Sequence, residues 1–246
     1  MWGAIKATAH RDGSSPTLAH AARACAAALS AVGVGVALAR DGGVWEPLLS
    51  SGPEATELDE LQFTLGEGPS GESVTSGVPV LETDLSGLSA GRRWPAFAAG
   101  ATERGIGAAF AFPIGVGAAR VGVLTVYRRE RGPLSADLLQ DALVYADAVL
   151  VLALDDRSGI DVGADQVIAA AFSVRRAEVH QAVGVVAAQL TVSITDALAR
   201  LRAHAYSSGQ SLQVVATEIM AGRLRLETDQ KETGSGHAEL EEEEDS

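Results

Sequence analysis

The apolar period of this chain changes once, and that change divides it into two folding problems. Up to residue 154, short apolar runs alternate with helical stretches. From residue 165 onward every apolar run keeps helical spacing. The stretch between, residues 155–164 (DDRSGIDVGA), is polar, carries two glycines and marks a boundary. Two domains are therefore expected in 246 residues, consistent with roughly 150 residues per domain.

In the first part, residues 17–31 read as a helix with Leu18, Ala22, Cys25 and Leu29 on one stripe. Cys25, the only cysteine, is expected to be a buried small hydrophobe. Val32–Ala39 and Val44–Leu49 flank Asp41-Gly42-Gly43 and read as a β-hairpin. A short helix follows over 54–62. Gly66-Glu67-Gly68-Pro69 then breaks the chain before a second helix, with Pro69 near its first position. Val78–Glu82 is a short strand, and Gly107–Ile114 and Arg120–Arg128 form a strand pair joined by a Gly-rich turn. Ser135–Leu154 closes this part as a long helix. Strands joined mostly by tight turns make an antiparallel sheet flanked by helices, an α+β design.

The second part is all-α. Residues 165–190 form a long helix in which Phe172, Arg176, Val179, Val183, Val186 and Leu190 follow a heptad seam. Ser193-Ile-Thr-Asp196 opens a second helix that ends at Ser208-Gly209. Ser211 opens a third, reaching to about Arg223. Three short-linked helices make a compact module of some 60 residues.

The net charge of −13 argues against nucleic acid until it is divided. Residues 1–160 hold 12 Lys and Arg against 18 Asp and Glu, residues 161–226 hold 6 against 5, and residues 227–246 hold 1 against 9. The helical module is thus at +1, and an acidic, disordered tail carries over half of the excess. The start of the chain, Met1-Trp-Gly-Ala-Ile-Lys, has no apolar run fit for a secretion signal. The longest uncharged apolar stretch, Ala24–Ala39, is 16 residues, short of the roughly 20 that a bilayer span needs. A cytoplasmic protein without membrane contact is expected.

No catalytic constellation is present: there is no Ser/His/Asp set, HExxH or Walker pattern. The five histidines lack metal-ligand spacing, so neither a metal nor a cofactor is expected. Pro69 removes a backbone donor from the glycine-rich loop, which makes that loop a helix entry rather than a phosphate cradle. Arg92-Arg93-Trp94-Pro95 leaves two readings open, a ligand cover or a core cap with its arginines in water. Arg175, Arg176, Arg200, Arg202, Arg223 and Arg225 fall near helix ends of the second part. Arginine meets phosphates bidentately and stacks on unpaired bases, but a solvated helix face also explains six of them.

Residues 175–226 resemble an ANTAR domain, a three-helix module of bacterial antiterminators that binds RNA hairpins. The carriers are Ala182-Val183-Gly184, the A-L-x-x-L-R run (Ala197, Leu198, Leu201, Arg202), Ala205, and Leu212, Val215 and Ala216. The preceding part resembles a GAF domain, a small-molecule or protein-sensing α+β fold. Its carriers are Leu65–Pro69, the stretch holding Pro79, Val80, Asp84 and Leu85, Arg93-Trp94-Pro95 with Phe97, and Val123–Tyr127. The arrangement is similar to actinobacterial response-type regulators. Where many ANTAR domains carry A-K-G, this chain has Val183, which lies in the seam and is expected to pack. A chain without asparagine lacks the cyclic-nucleotide signature of some GAF domains.

The resemblance implies an N-terminal extension (1–15), a GAF sensor (16–156), a linker (157–164), an ANTAR RNA-binding domain (165–226) and an acidic tail (227–246). Expected RNA contacts are Arg176, His180, Gln181, Gly184, Arg223 and Arg225, with Gly184 allowing close approach of a base. The expected GAF pocket involves Gly66, Glu67, Gly68 and Trp94. Expected partners are tandem RNA hairpins in nascent transcripts, a second copy of the chain paired through helices 17–31, 135–154 and 165–190, and a small-molecule or protein signal. The rival reading is a GAF dimer that docks a kinase or sigma-type partner without binding RNA.

Overall fold

A computed structural model describes residues 1–39, 44–117, 119–157 and 165–226, with side chains placed outside 155–157 and 165–176. The chain opens with α1 (Trp2–Arg11), ahead of the first helix read from the sequence, and buries Ile5 completely. Within the expected N-terminal extension, Ile5 thus joins the core under the sheet. Next come α2 (Leu18–Ala28), β1 (Gly33–Ala39), β2 (Trp45–Ser50), α3 (Pro53–Leu65) and α4 (Pro69–Ser76). After β3 (Val80–Glu82), two short helices stand where no element was expected, α5 (Leu88–Arg93) and α6 (Pro95–Glu103). The strand pair β4 (Ala108–Val116) and β5 (Ala119–Arg128) leads into α7 (Ala136–Arg157). The three remaining helices are α8 (Asp165–Leu190), α9 (Ile194–Ser208) and α10 (Leu212–Met220).

The five strands form one antiparallel sheet in the order β2-β1-β5-β4-β3, with Val36 opposite Leu124 and Ala111 opposite Thr125. Alternation sorts β5 onto two faces. Leu124 and Val126 pack with Phe110 and Phe112 under α1, α2 and α7, where Cys25, Leu29, Tyr145 and Val149 complete the layer. Val123 and Tyr127 point the other way, into a layer with Trp45 of β2 and with Leu58, Phe63, Val74, Trp94 and Phe97 from the α3 to α6 segment. Both faces of the sheet are covered, which is why β1 is buried along most of its length. Burial pushes the Cys25 thiol up to about 12, so it behaves as a packed hydrophobe.

The second layer holds a polar network. Tyr127 Oη donates to Asp59 Oδ1 at 2.6 Å and accepts from Gln62 Nε2 at 2.6 Å. Gln62 Oε1 accepts from the Ser70 N–H at 2.9 Å, and Ser50 Oγ donates to Asp59 Oδ2 at 2.6 Å. Burial and the neighbouring Asp59 carboxylate hold the Tyr127 hydroxyl well above its ordinary pKa, so it stays protonated. Gly35 makes room for this network: a Cβ there would stand 2.1 Å from Asp59 Oδ2.

In the three C-terminal helices, Val179, Ala182, Val183, Val186, Ala197, Leu201, Leu212, Val215 and Ile219 are buried, in one cluster that is continuous with the Trp45, Leu58 and Phe63 layer of the sheet domain. The described part of the heptad seam, expected to face a second chain, packs instead on α9 and α10 of the same chain. Likewise, the buried stripe of α2 meets α7 within the chain. The third helix ends at Met220 rather than near Arg223, and Gly222 turns the chain with φ +71°. The expected acidic tail, and the expected linker beyond Arg157, lie outside the described residues.

Candidate nucleic-acid interface

Helix α8 has two sides. Val179, Ala182, Val183 and Val186 are buried against α9 and α10, so Val183 packs as its place in the seam predicts. On another side His180 and Gln181 are exposed, and Gly184 lies one turn beyond His180. A Cβ on Gly184 would meet nothing within 4 Å, so nothing within the described chain requires a glycine there. Open space over a helical glycine is what an approaching base or backbone would use. Glu178 is not free to repel RNA: Gln213 Nε2 and Thr217 Oγ1 donate to it at 2.8 and 3.0 Å, tying α8 to α10.

The expected arginines are not gathered into one patch. Arg176 belongs to α8, but its side chain lies outside the described ones. Arg223 and Arg225 follow the α10 turn and are exposed. Arg223 grips the Glu218 carboxylate with Nε and Nη2, each at 2.8 Å. That bonding draws Glu218 below the ordinary carboxylate pKa and raises Arg223. A phosphate would have to displace Glu218 or share the guanidinium with it.

His180 has a partner that the sequence does not announce. Its Nε2 meets Glu46 Oε1, a carboxylate on β2 that is only 1% exposed. A second contact joins the same two parts of the molecule: Arg202 Nε donates to the Phe63 carbonyl at 3.1 Å, with its guanidinium 5.7 Å from the Phe63 ring centroid. A third is the Leu212 N–H, which donates to Thr64 Oγ1 at 3.3 Å. The helical module therefore rests on β2 and α3, and a face offered to RNA is partly engaged by the sheet domain. In the sequence Arg202 stands out as the end of the A-L-x-x-L-R run and as one of six arginines near helix ends, not as a contact to the sheet domain. Glu46, Phe63 and Thr64 gave no signal, because they become partners only through tertiary packing.

Between α9 and the glycine-rich loop lies an open cleft of about 510 Å³. Gly66 and Glu67 line it, with Pro95 across from Arg202 and Tyr206. Gly66 caps α3 in the left-handed region, φ +71°, and a Cβ there would stand 2.9 Å from Arg202 Nη1. Glu67 Oε1 accepts from the N–H groups of Ala96 and Phe97 at 2.7 and 2.8 Å, capping α6. Gly68 and Trp94 are packed elsewhere. Gly68 sits against Gln62, and Trp94 is 3% exposed, edge-on to Phe97 and covered by the Arg93 guanidinium 4.2 Å from its ring centroid. Among the described residues, no group of three His, Cys, Asp or Glu is placed to hold a metal, and no single helix is long and apolar enough to cross a membrane.

Residues 173–220 match the ANTAR domain family. The matched span runs from the middle of α8 to the end of α10, so the whole packed core of the module falls inside it. The architecture is a domain built on a five-stranded antiparallel sheet followed by a helical region that matches the ANTAR family. Among solved structures, the chain is similar to the GAF domain of a phosphoenolpyruvate-protein phosphotransferase from Coxiella burnetii, at 15% identity and a TM-score of 0.49, covering 64% of this chain and 95% of that one. The corresponding Acinetobacter domain gives 15% identity and a TM-score of 0.47, covering 64% and 96%. The GAF-B domain of DevS from Mycobacterium smegmatis gives 17% and 0.41, covering 56% and 91%. No curated protein matches the chain. The ANTAR match indicates a region of the RNA-binding antitermination-regulator kind.

Proposed function

We propose that this chain is a signal-responsive regulator that binds RNA hairpins through its ANTAR region and promotes transcription antitermination under the control of the sheet domain. The observation that carries this reading is the family match over 173–220, which falls on one packed three-helix module. Within it, Gln181 and the open space over Gly184 offer a close-approach surface, with His180 beside them and Arg176 one turn before His180. Arg223 and Arg225 supply phosphate contacts at the end of the module. Bound RNA would hold an antiterminator hairpin and keep the competing terminator from forming. Two copies in the cytoplasm would meet paired hairpins, and the exposed Leu143, Val151 and Leu154 of α7 supply apolar area for such pairing.

The engaged state of His180 favours one rival: a GAF-type dimer that docks a kinase or sigma-type partner and leaves RNA alone. One experiment separates them. The full chain is titrated against a two-hairpin RNA at 50 and 200 mM salt. Binding that weakens about 10²-fold across that range corresponds to roughly four phosphate contacts and supports the antitermination reading. Absent or salt-insensitive binding overturns it in favour of the protein-docking reading.

A further inference from the structure

The cleft between α9 and the glycine-rich loop holds a cation, Arg202, that makes no ion pair among the described residues. Arg202 is half-buried, and burial lowers its pKa from the ordinary arginine value. Its Nε is taken by the Phe63 carbonyl, and no ion pair of Arg202 occurs among the described residues. Its Nη1 lies beside Gly66, at the cleft wall. Desolvating a guanidinium without a carboxylate is costly unless something else supplies the negative charge.

Apart from Glu67, the rest of the cleft is lined by small, apolar and aromatic residues. Ala199, Arg202, Ala203 and Tyr206 line one face of α9 at spacings of three and four, so two small side chains leave a floor between a cation and an aromatic ring. Tyr206 is 64% exposed, and Leu65, Pro95 and Ala96 close the opposite wall. At about 510 Å³ the space falls within the range typical of small-molecule sites.

We propose that this cleft is a ligand site for a small organic monocarboxylate with a planar apolar body, the carboxylate on Arg202 and the ring against Tyr206. The guanidinium fork matches a carboxylate bidentately. Glu67, on the facing wall, disfavours a dianion, which sets a monocarboxylate ahead of phosphate. Because the walls come from both the sheet domain and the ANTAR region, an occupant fastens one to the other. Resting on the RNA-binding reading, the ligand then lowers affinity for RNA through linkage, since it favours the docked arrangement that engages His180.

The test uses the full chain and isothermal calorimetry with benzoate as probe, beside benzyl alcohol, acetate and inorganic phosphate. Benzoate is expected to bind one per chain, with the other three at least tenfold weaker. Arg202→Gln is expected to weaken benzoate at least tenfold. Ala203→Leu, at an exposed position, fills the cleft and abolishes binding without moving Tm, which keeps the test valid should the Arg202 variant fold poorly. No benzoate binding, binding unchanged by Ala203→Leu, or equal binding of benzyl alcohol or phosphate overturns the site. Saturating benzoate is expected to weaken the two-hairpin RNA several-fold, and an unchanged affinity overturns the coupling. A wild-type chain that binds benzoate but never RNA defeats the antitermination reading and leaves the ligand site standing.

Discussion

Gly35 and Tyr127 set the narrowest tolerances in the sheet domain. Asp59 comes so close to the β1 backbone that a methyl group on Gly35 would overlap its carboxylate. Gly35→Ala is therefore expected to cost about 1–3 kcal/mol, the usual range for overpacking a close-fitted interior, read as a lower urea midpoint with unchanged slope. Tyr127→Phe is nearly isosteric but strips Asp59 and Gln62 of the hydroxyl they share. Leaving the buried Gln62 amide nitrogen without this acceptor costs about 1–3 kcal/mol, and equilibrium unfolding of the variant checks it. A cost near zero would mean that water replaces the hydroxyl. Neither position stands out in the sequence, where Gly35 reads as one small residue in the V-G-V-G-V run and Tyr127 as the last apolar residue of a strand.

At the scale of elements, spacing and caps carried most of the reading. Ser193 opens α9 as expected, accepting from the Asp196 N–H at 3.1 Å, and Gly209 closes it in the left-handed region. The hairpin, the β4–β5 pair and the long α7 also stand where their alternation and spacing predict. Helices α5 and α6 escaped because each is short and Trp94-Pro95 interrupts the pattern between them, so neither repeats its period enough to be seen. The seam of α8 was legible as an apolar stripe but not as to its partner: a heptad looks alike whether a second chain or α10 fills it. Gly184 belongs to this scale too. Gly184→Ala removes the helix-interior penalty of glycine, about 0.5–1 kcal/mol, with no clash to offset it. The variant is expected to melt slightly higher and to bind the two-hairpin RNA more weakly. A gain in stability with undiminished RNA binding would exclude close approach at this position.

Across the whole molecule, the ANTAR region is not a free appendage. Contacts of His180 with Glu46, Arg202 with Phe63, and Leu212 with Thr64 seat it on the sheet domain. His180 Nε2 cannot serve Glu46 and an RNA phosphate together, so loosening the first contact should favour the second. Glu46→Gln keeps the shape while removing the charge, and a several-fold gain in RNA affinity is expected in the same titration. An unchanged value would mean that His180 takes no part in RNA binding. The expected pocket residues divide along the same lines. Gly66 and Glu67 face the cleft because α9 stands opposite them, whereas Gly68, next in sequence, and Trp94 are consumed by packing.

What the amino-acid order determined by itself was local: where the apolar period switches, which segments form strands or helices, which residues cap them, and that the charge excess sits in the last twenty positions. These follow from spacing and backbone preference, which act over a few residues. The tertiary structure alone decided which stripe meets which, and so turned the heptad seam inward. It also paired a histidine on α8 with a carboxylate on β2, and set Arg202, which makes no ion pair among the described residues, in a cleft between two domains. Such pairings join residues more than a hundred positions apart, and no local pattern encodes them because the energy that selects them appears only when both surfaces leave water together.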